Sequence, residues 1–166
     1  MSTVAAHGLR ASLPPRWEAR LYLRERTDPR TEPAWRSVHP DAYGVAEESR
    51  NPVLHLANFA LPAERGDFGS GAVELMRAEH AFVALLEFDR EEADRPLYAH
   101  RGLPRPARSD FASSALQRRL PGQLGWQQFC TVLGRPFCVY AVLGSRRHAD
   151  RLVDEVRVAL DGVEVT

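Results

Sequence analysis

The chain has 166 residues, 22 basic and 22 acidic side chains, 44% apolar content and two cysteines. Every basic residue is arginine. A neutral chain has no long-range field to draw in nucleic acid or an anionic membrane, two cysteines build no disulfide framework, and the lack of lysine excludes Schiff-base chemistry, P-loop phosphate binding and a kinase-type ion pair.

Length and apolar content suffice for one domain with its own core, burying about 70% of the unfolded surface. The arginine-only balance sits with abundant Pro, Ala and Gly, all encoded by GC-rich codons, and reads as the mark of a high-GC bacterial genome. Met1 to Pro14 lacks the apolar core of a signal peptide. No window approaches the run of about 18 apolar residues that spans a membrane. A cytoplasmic, reduced protein is expected.

Residues 1–8 read as a frayed, flexible start, and 9–166 as a single domain. Leu9, Ala11 and Leu13 alternate with polar neighbours as in a short strand, ended by Pro14-Pro15. A second strand runs from Trp17 to Arg26, with Ala19, Leu21 and Leu23 on the face of Trp17. Residues 27–52 hold four prolines and form a long polar connection with one short element near Trp35–Val38. The apolar run Val53–Leu61 predicts a central strand.

A short helix is expected at Ala72–Ala78, capped by Ser70. His80–Asp89 is the next strand, with Phe82, Ala84, Leu86 and Phe88 on one face and Val83 and Leu85 on the other. Asp110 caps a short helix to about Arg118. Trp126–Leu133 and Pro136–Leu143 form a hairpin turning at Gly134-Arg135. Ala149, Leu152, Val153, Val156, Ala159 and Leu160 recur at helical spacing behind Ser145 as cap, and Asp154 supports Arg157 three residues on. Gly162 ends this helix, and Val163–Val165 adds a last strand. Hairpin-ordered strands with the strong helix at the end give an α+β fold, mainly an antiparallel sheet with the C-terminal helix and one or two short helices packed on it.

The candidate functional residues are scattered. Arg65-Gly-Asp67 is the cell-adhesion tripeptide, a chance match in a cytoplasmic chain. Asp67-Phe-Gly69 lacks the other parts of a kinase site. Gly66, Gly69 and Gly71 precede a helix start, where free N–H groups attract anions and where Arg65 and Ser70 could assist, but the spacing fits neither phosphate-binding fingerprint, so a tight turn is the leading reading. His55 lies inside an apolar run and reads as a satisfied sheet histidine, with catalysis as the alternative. His39 and Asp41 flank a proline as a conceivable acid–base pair. No histidine pairs at metal-ligand spacing with another histidine or a cysteine. No catalytic set, metal site or cofactor site is assigned.

A hairpin loop centred on Gly134 puts Cys130 directly opposite Cys138, slightly far for a bridge. Both read as small buried hydrophobes, with a redox switch as the alternative. Arg101, Arg105, Arg108, Arg118 and Arg119 stand against a single Asp110. That segment is the one clearly basic stretch and a candidate partner surface.

Two groups of motifs are distinctive. One is Leu13-Pro-Pro-Arg-Trp-Glu-Ala-Arg-Leu-Tyr with Asn51-Pro-Val-Leu-His-Leu-Ala-Asn-Phe and Arg65-Gly-Asp-Phe-Gly-Ser-Gly. The other is Leu120-Pro-Gly-Gln, Gly134-Arg-Pro-Phe-Cys-Val-Tyr and Gly144-Ser before a terminal helix. Together they resemble an uncharacterised family of small actinobacterial proteins, a resemblance that implies no activity. The order of elements is similar to the Mog1/PsbP-like α/β sandwich, which implies partner binding rather than catalysis. The functional expectation is a non-catalytic protein-binding or adaptor module, through a protein partner or self-association, with Arg65–Gly71 and Arg101–Arg119 as interface candidates. The alternative is a small ligand-binding protein or enzyme with a pocket near His55 and the Arg65–Gly71 turn.

Overall fold

A computed structural model describes residues 2–24 and 51–166. The expected element at Trp35–Val38, and His39 and Asp41, lie outside the described residues. The described chain forms two antiparallel sheets and, among the described residues, one α-helix. Strands β1 (Ser2–Ala6), β2 (Leu9–Leu13) and β8 (Val163–Val165) make a three-stranded sheet in the order β1-β2-β8. Strands β3 (Glu18–Leu23), β4 (Pro52–Ala57), β5 (Ala81–Glu87), β6 (Leu124–Val132) and β7 (Arg135–Leu143) make a five-stranded sheet in the order β3-β4-β5-β7-β6. Helix α1 spans Ala149–Asp161. This is the single α+β domain that the sequence pattern implies. No helix of the described residues is long and apolar enough to cross a membrane.

Strands β4, β5 and β7 are buried along their whole length, because the large sheet is covered on both faces. Leu54, Leu56, Val83, Leu85, Phe137 and Val139 face α1 and the small sheet. The α1 stripe of Leu152, Val153, Val156 and Leu160 meets them there, and each buried Leu or Val contributes about 1.5–3 kcal/mol. Val53, Phe82, Ala84, Leu86, Tyr140 and Val142 face the other way, under Leu61, Phe68, Val73 and Leu116 of the long connections. The alternation read in β5 therefore separates two cores rather than a core from solvent.

Several local expectations are corrected. The start of the chain is not frayed: Ser2–Ala6 pairs with β2 from Ser2↔Leu13 to Ala6↔Leu9 through a tight His7–Gly8 turn. Apolar alternation is weak in β1 because most of its side chains are exposed, so backbone pairing alone defines it. The short helix at 72–78 is a single 3₁₀ turn, Val73–Leu75, and Ser70 does not cap it. The helix at 110–118 is two 3₁₀ turns, Arg108–Asp110 and Ser113–Ala115. The Asp110 carboxylate accepts the Ala107 N–H at 2.7 Å, closing a turn instead of starting a helix. Ala112 then bonds both ways to Gly125 of β6 at 2.9 Å, which keeps the chain extended between the two turns. Ser145 lies before the α1 cap: its hydroxyl accepts the His148 N–H at 3.2 Å and donates to the Ala78 carbonyl at 2.8 Å, and His148 holds the capping position.

The β6–β7 hairpin turns at Leu133-Gly134, both at positive φ (51° and 76°), rather than at Gly134-Arg135. Against a loop centred on Gly134, which sets Cys130 opposite Cys138, this is a half-step that changes the register by one residue. Cys130 pairs with Phe137, and Cys138 with Phe129. Since a one-residue shift moves a side chain to the opposite face, Cys130 enters the core under α1 and Cys138 the other core. The sheet itself lies between the two sulfurs. Burial pushes both thiols up to about 12. A thiol reagent should label neither cysteine in the folded protein and both after unfolding in urea, with no intramolecular crosslink formed by mild oxidation of the native state.

Arg135, expected in the turn, opens β7 and is buried with Glu87 (6% and 5% exposed). Its Nε donates to Glu87 Oε1 at 2.9 Å and one Nη to Oε2 at 2.6 Å. The other N–H groups reach the carbonyls of His7, Gly8 and Thr166 at 2.8–3.0 Å. Gly8 sits at φ +71°, and a Cβ there would come within 2.5 Å of the Arg135 guanidinium. Breaking a buried pair from one side costs about 3–5 kcal/mol. Arg135→Ala should lower stability by that amount in urea titration, and hydrogen exchange should report early opening of β1, β2 and β8.

Candidate functional site

Strand β4 turns its even-numbered residues Leu54 and Leu56 into the α1 core, so the odd-numbered His55 points to the other face with Val53 and Ala57. It is fully buried there, edge-on to Tyr22 (5.4 Å) and Phe82 (5.0 Å). The Asp67 carbonyl lies 2.8 Å from Nε2, and the Arg65 Nε–H donates to Nδ1 at 3.0 Å. Because an arginine only donates and a carbonyl only accepts, these partners require the Nε2–H tautomer. Burial pushes the imidazole down from 6.5 to about 4.

The surrounding groups are equally occupied. Arg65 also donates to the carbonyls of Pro62 and Ala63. Tyr22 Oη donates to Asp67 Oδ1 at 2.8 Å, and burial beside that carboxylate pushes the phenol up. Arg24 places Nε 3.4 Å from Asp67 Oδ2 and donates to the Glu87 carbonyl at 2.9 Å, with its guanidinium 4.8 Å from the Phe88 ring centre. The glycine turn bonds to itself: Gly66 N–H reaches the Ser70 carbonyl, Gly69 N–H the Gly66 carbonyl, Ala72 and Val73 N–H the Gly69 carbonyl, and Gly71 N–H the Glu74 carboxylate. Gly69 adopts φ +86°, and a Cβ there would overlap the Phe82 ring at 2.4 Å. A turn that packs on the sheet, with the three glycine amides already satisfied, is what these glycines permit.

The sequence thus names His55, Arg65 and Asp67 as candidates, and the fold does bring them together. They hold one another, and the His55 ring keeps no lone pair for a substrate proton, because Nδ1 already accepts from Arg65. Ser70 and Gly71 are exposed at the turn.

The basic segment is dispersed rather than gathered into a stripe. Arg105 pairs with Asp161 and Arg108 with Asp150 (3.7 Å), both acids on α1. Arg118 pairs with Glu74 at 3.4 Å. Arg101 bridges to Thr131 at the β6 edge, and Arg119 borders a shallow depression with Arg146. The local charge excess is offset by carboxylates distant in sequence. Among the described residues no group of three His, Cys, Asp or Glu side chains is placed to hold a metal ion.

A groove that the sequence reading missed lies between the β2–β3 turn and α1. It encloses about 760 Å³. One wall is Pro14, Pro15, Arg16 and Trp17; the other is Arg151, Asp154, Glu155 and Val158; Asn58, Glu79 and His80 close the end. Asn58 braces that end, donating to Glu155 Oε2 at 2.9 Å and to the Glu79 carbonyl at 3.1 Å. Val158 is 53% exposed, an apolar side chain on the polar side of the helix. Arg16 occupies φ +71° in a turn closed by the Trp17 N–H on the Pro14 carbonyl at 3.2 Å. Glycine or asparagine usually fills such a position, and a residue with a Cβ there costs about 1 kcal/mol. No ionic partner meets Arg16 among the described residues.

His80 stacks on Phe59 (4.8 Å, 19°), and its Nδ1 accepts the Arg77 N–H at 3.0 Å. Its remaining nitrogen is therefore a donor, not a base. The groove offers apolar walls and charge but no nucleophile joined to a base. Its sequence signals were the lone Val158 off the apolar stripe and a Pro-Pro-Arg turn where Pro-Pro-Gly would be easier.

Comparison with protein-family models, with curated proteins and with solved structures finds no match for this chain.

The depressed His55 value has a consequence for stability. The unfolded chain takes up the proton first, near pH 6.5, whereas the folded chain resists it down to about 4. The associated stability is complete above pH 6.5 and is lost as pH falls toward 4, by roughly 3 kcal/mol in all. Urea midpoints measured across this window should fall with acidification in the native chain and fall markedly less in His55→Gln, where His80, also lowered by burial, still titrates.

Proposed function

We propose that this protein is a non-catalytic binding or adaptor module, and that its recognition site is the groove between the Pro14–Trp17 turn and α1. The observation that carries this reading is the contrast between the two places. The residues with catalytic chemistry are bonded to each other where the glycine turn covers His55 on the sheet, while the open groove holds Arg16 in a conformation unfavourable for arginine. Strain retained at a surface site is reasonably read as serving that site. Proline and tryptophan walls with exposed Val158 suit an extended segment of a partner protein, with Arg16 available to an acidic side chain on it, Arg151 being held by Glu155. A similarity of element order to the Mog1/PsbP-like sandwich, a fold that implies partner binding, belongs to the same proposal. A ligand or enzyme site near His55 and the Arg65–Gly71 turn has less support, since His55 and Arg65 meet but satisfy each other.

The test is affinity capture from the native host with quantitative mass spectrometry, using the full chain, Arg16→Glu, Val158→Asp and, as a surface control, Arg101→Glu. A partner enriched by the native chain and the control, but reduced at least several-fold by both groove variants, is the expected result. A partner held equally by all four chains would remove the groove from the proposal. No specific partner at all would count against the adaptor reading.

A further inference from the structure

Strand β1 presents an edge that is complete on one side only. Its two-residue His7–Gly8 turn (φ 52° and 71°) makes Ala6↔Leu9 the closing pair, which in such hairpins exchanges both hydrogen bonds. The antiparallel alternation then turns Val4 and Ser2 toward β2, opposite Ala11 and Leu13. Thr3 and Ala5 are left with N–H and C=O groups directed away from the sheet. Neither backbone meets a partner among the described residues.

The opposite edge of the fold is handled differently. Strand β6 is blocked at Gly125 by Ala112 and at Thr131 by the His100–Gly102 segment. β1 has none of the devices that guard an exposed edge: no charged side chain, no proline, and no covering segment in its hydrogen-bond ladder among the described residues.

We propose that β1 is a self-association edge, at which a second copy of this chain pairs antiparallel about a two-fold axis through Val4. That axis sets Thr3 of one copy against Ala5 of the other, so each outward donor meets an outward acceptor, and the two small sheets become one continuous sheet. The charge arrangement allows it. The junction side chains are threonine, valine and alanine, and Arg10, which pairs across from Ala5, stands beside Glu164 of its own copy in the β2–β8 register. With a net charge of zero, the two copies carry no general repulsion. The paired edge is only five residues long, below the roughly 1,000 Å² that marks a permanent interface, so the dimer is weak and concentration-dependent. The proposal stands independently of the groove.

The experiment is analytical ultracentrifugation of the full chain over concentrations reaching the millimolar range. The weight-average mass should rise from 18.6 kDa toward twice that value. Ala5→Pro deletes an outward N–H that β2 does not use, so it should leave the hairpin intact and keep the protein monomeric throughout. Thr3→Lys, which changes no backbone group, should have the same effect should the proline variant fail to fold. Hydrogen exchange should show Thr3 and Ala5 amides becoming protected as concentration rises. A native chain that stays monomeric, or a folded Ala5→Pro or Thr3→Lys variant that dimerises like the native chain, overturns the proposal.

Discussion

The Arg135 guanidinium uses each kind of donor it carries, and the assembly of the fold depends on that geometry. A buried arginine needs a carboxylate for its charge and acceptors for its remaining N–H groups. Glu87, on the neighbouring strand, provides the first. The second come from the turn between β1 and β2 and from the end of β8, which are otherwise far from β7 in sequence. One side chain thus ties the small sheet to the large one. The same Glu87 offers its backbone carbonyl to Arg24, and Arg24 reaches Asp67. Asp67 in turn accepts from Tyr22, and its carbonyl meets His55 under Arg65. A nearly continuous polar path runs from the chain termini across the edge of the large sheet to the glycine turn.

This path explains why chemically suggestive residues serve packing here. The large sheet is covered on both sides, so a polar group on either face has to find a protein partner or leave a costly buried orphan. His55 and Tyr22 do so by fastening the Arg65–Gly71 turn over Phe82. The turn needs such fastening because it contains little apolar surface and no stable helix. What remains open lies at the seam where α1, the β2–β3 turn and the end of β4 fail to close completely. There Arg16 keeps no ionic partner among the described residues and Val158 stays exposed, so recognition has room.

The strands and the faces of β5 were legible in the sequence, since alternation survives even when both faces are buried. The stripe of α1, its end at Gly162 and the last strand were legible for a similar reason: helical period, a C-terminal glycine and a terminal apolar pair are local signals. The relation between Cys130 and Cys138 was not, because placing the turn on Gly134 instead of between Leu133 and Gly134 reverses a face. Helix starts at Ser70 and Asp110 were plausible by composition, yet Ala112 is drawn into pairing with Gly125, and that competition comes from another part of the chain. The basic segment looked uncompensated because its acids, Asp150, Asp161 and Glu74, are tens of residues away.

Composition and periodicity by themselves determined the fold class, the strands that form the core, the helix that covers it, and the lysine-dependent chemistries that are excluded. Those properties follow from local hydrophobic pattern and from which side chains exist. Only the tertiary structure decided which charges are neutralised, that the cysteines lie on opposite faces, that His55 is locked between Arg65 and Asp67, and that a groove opens beside Arg16. Each of these depends on strand register and on contacts between distant segments, and a shift of one residue in pairing would have produced a different set from the same pattern.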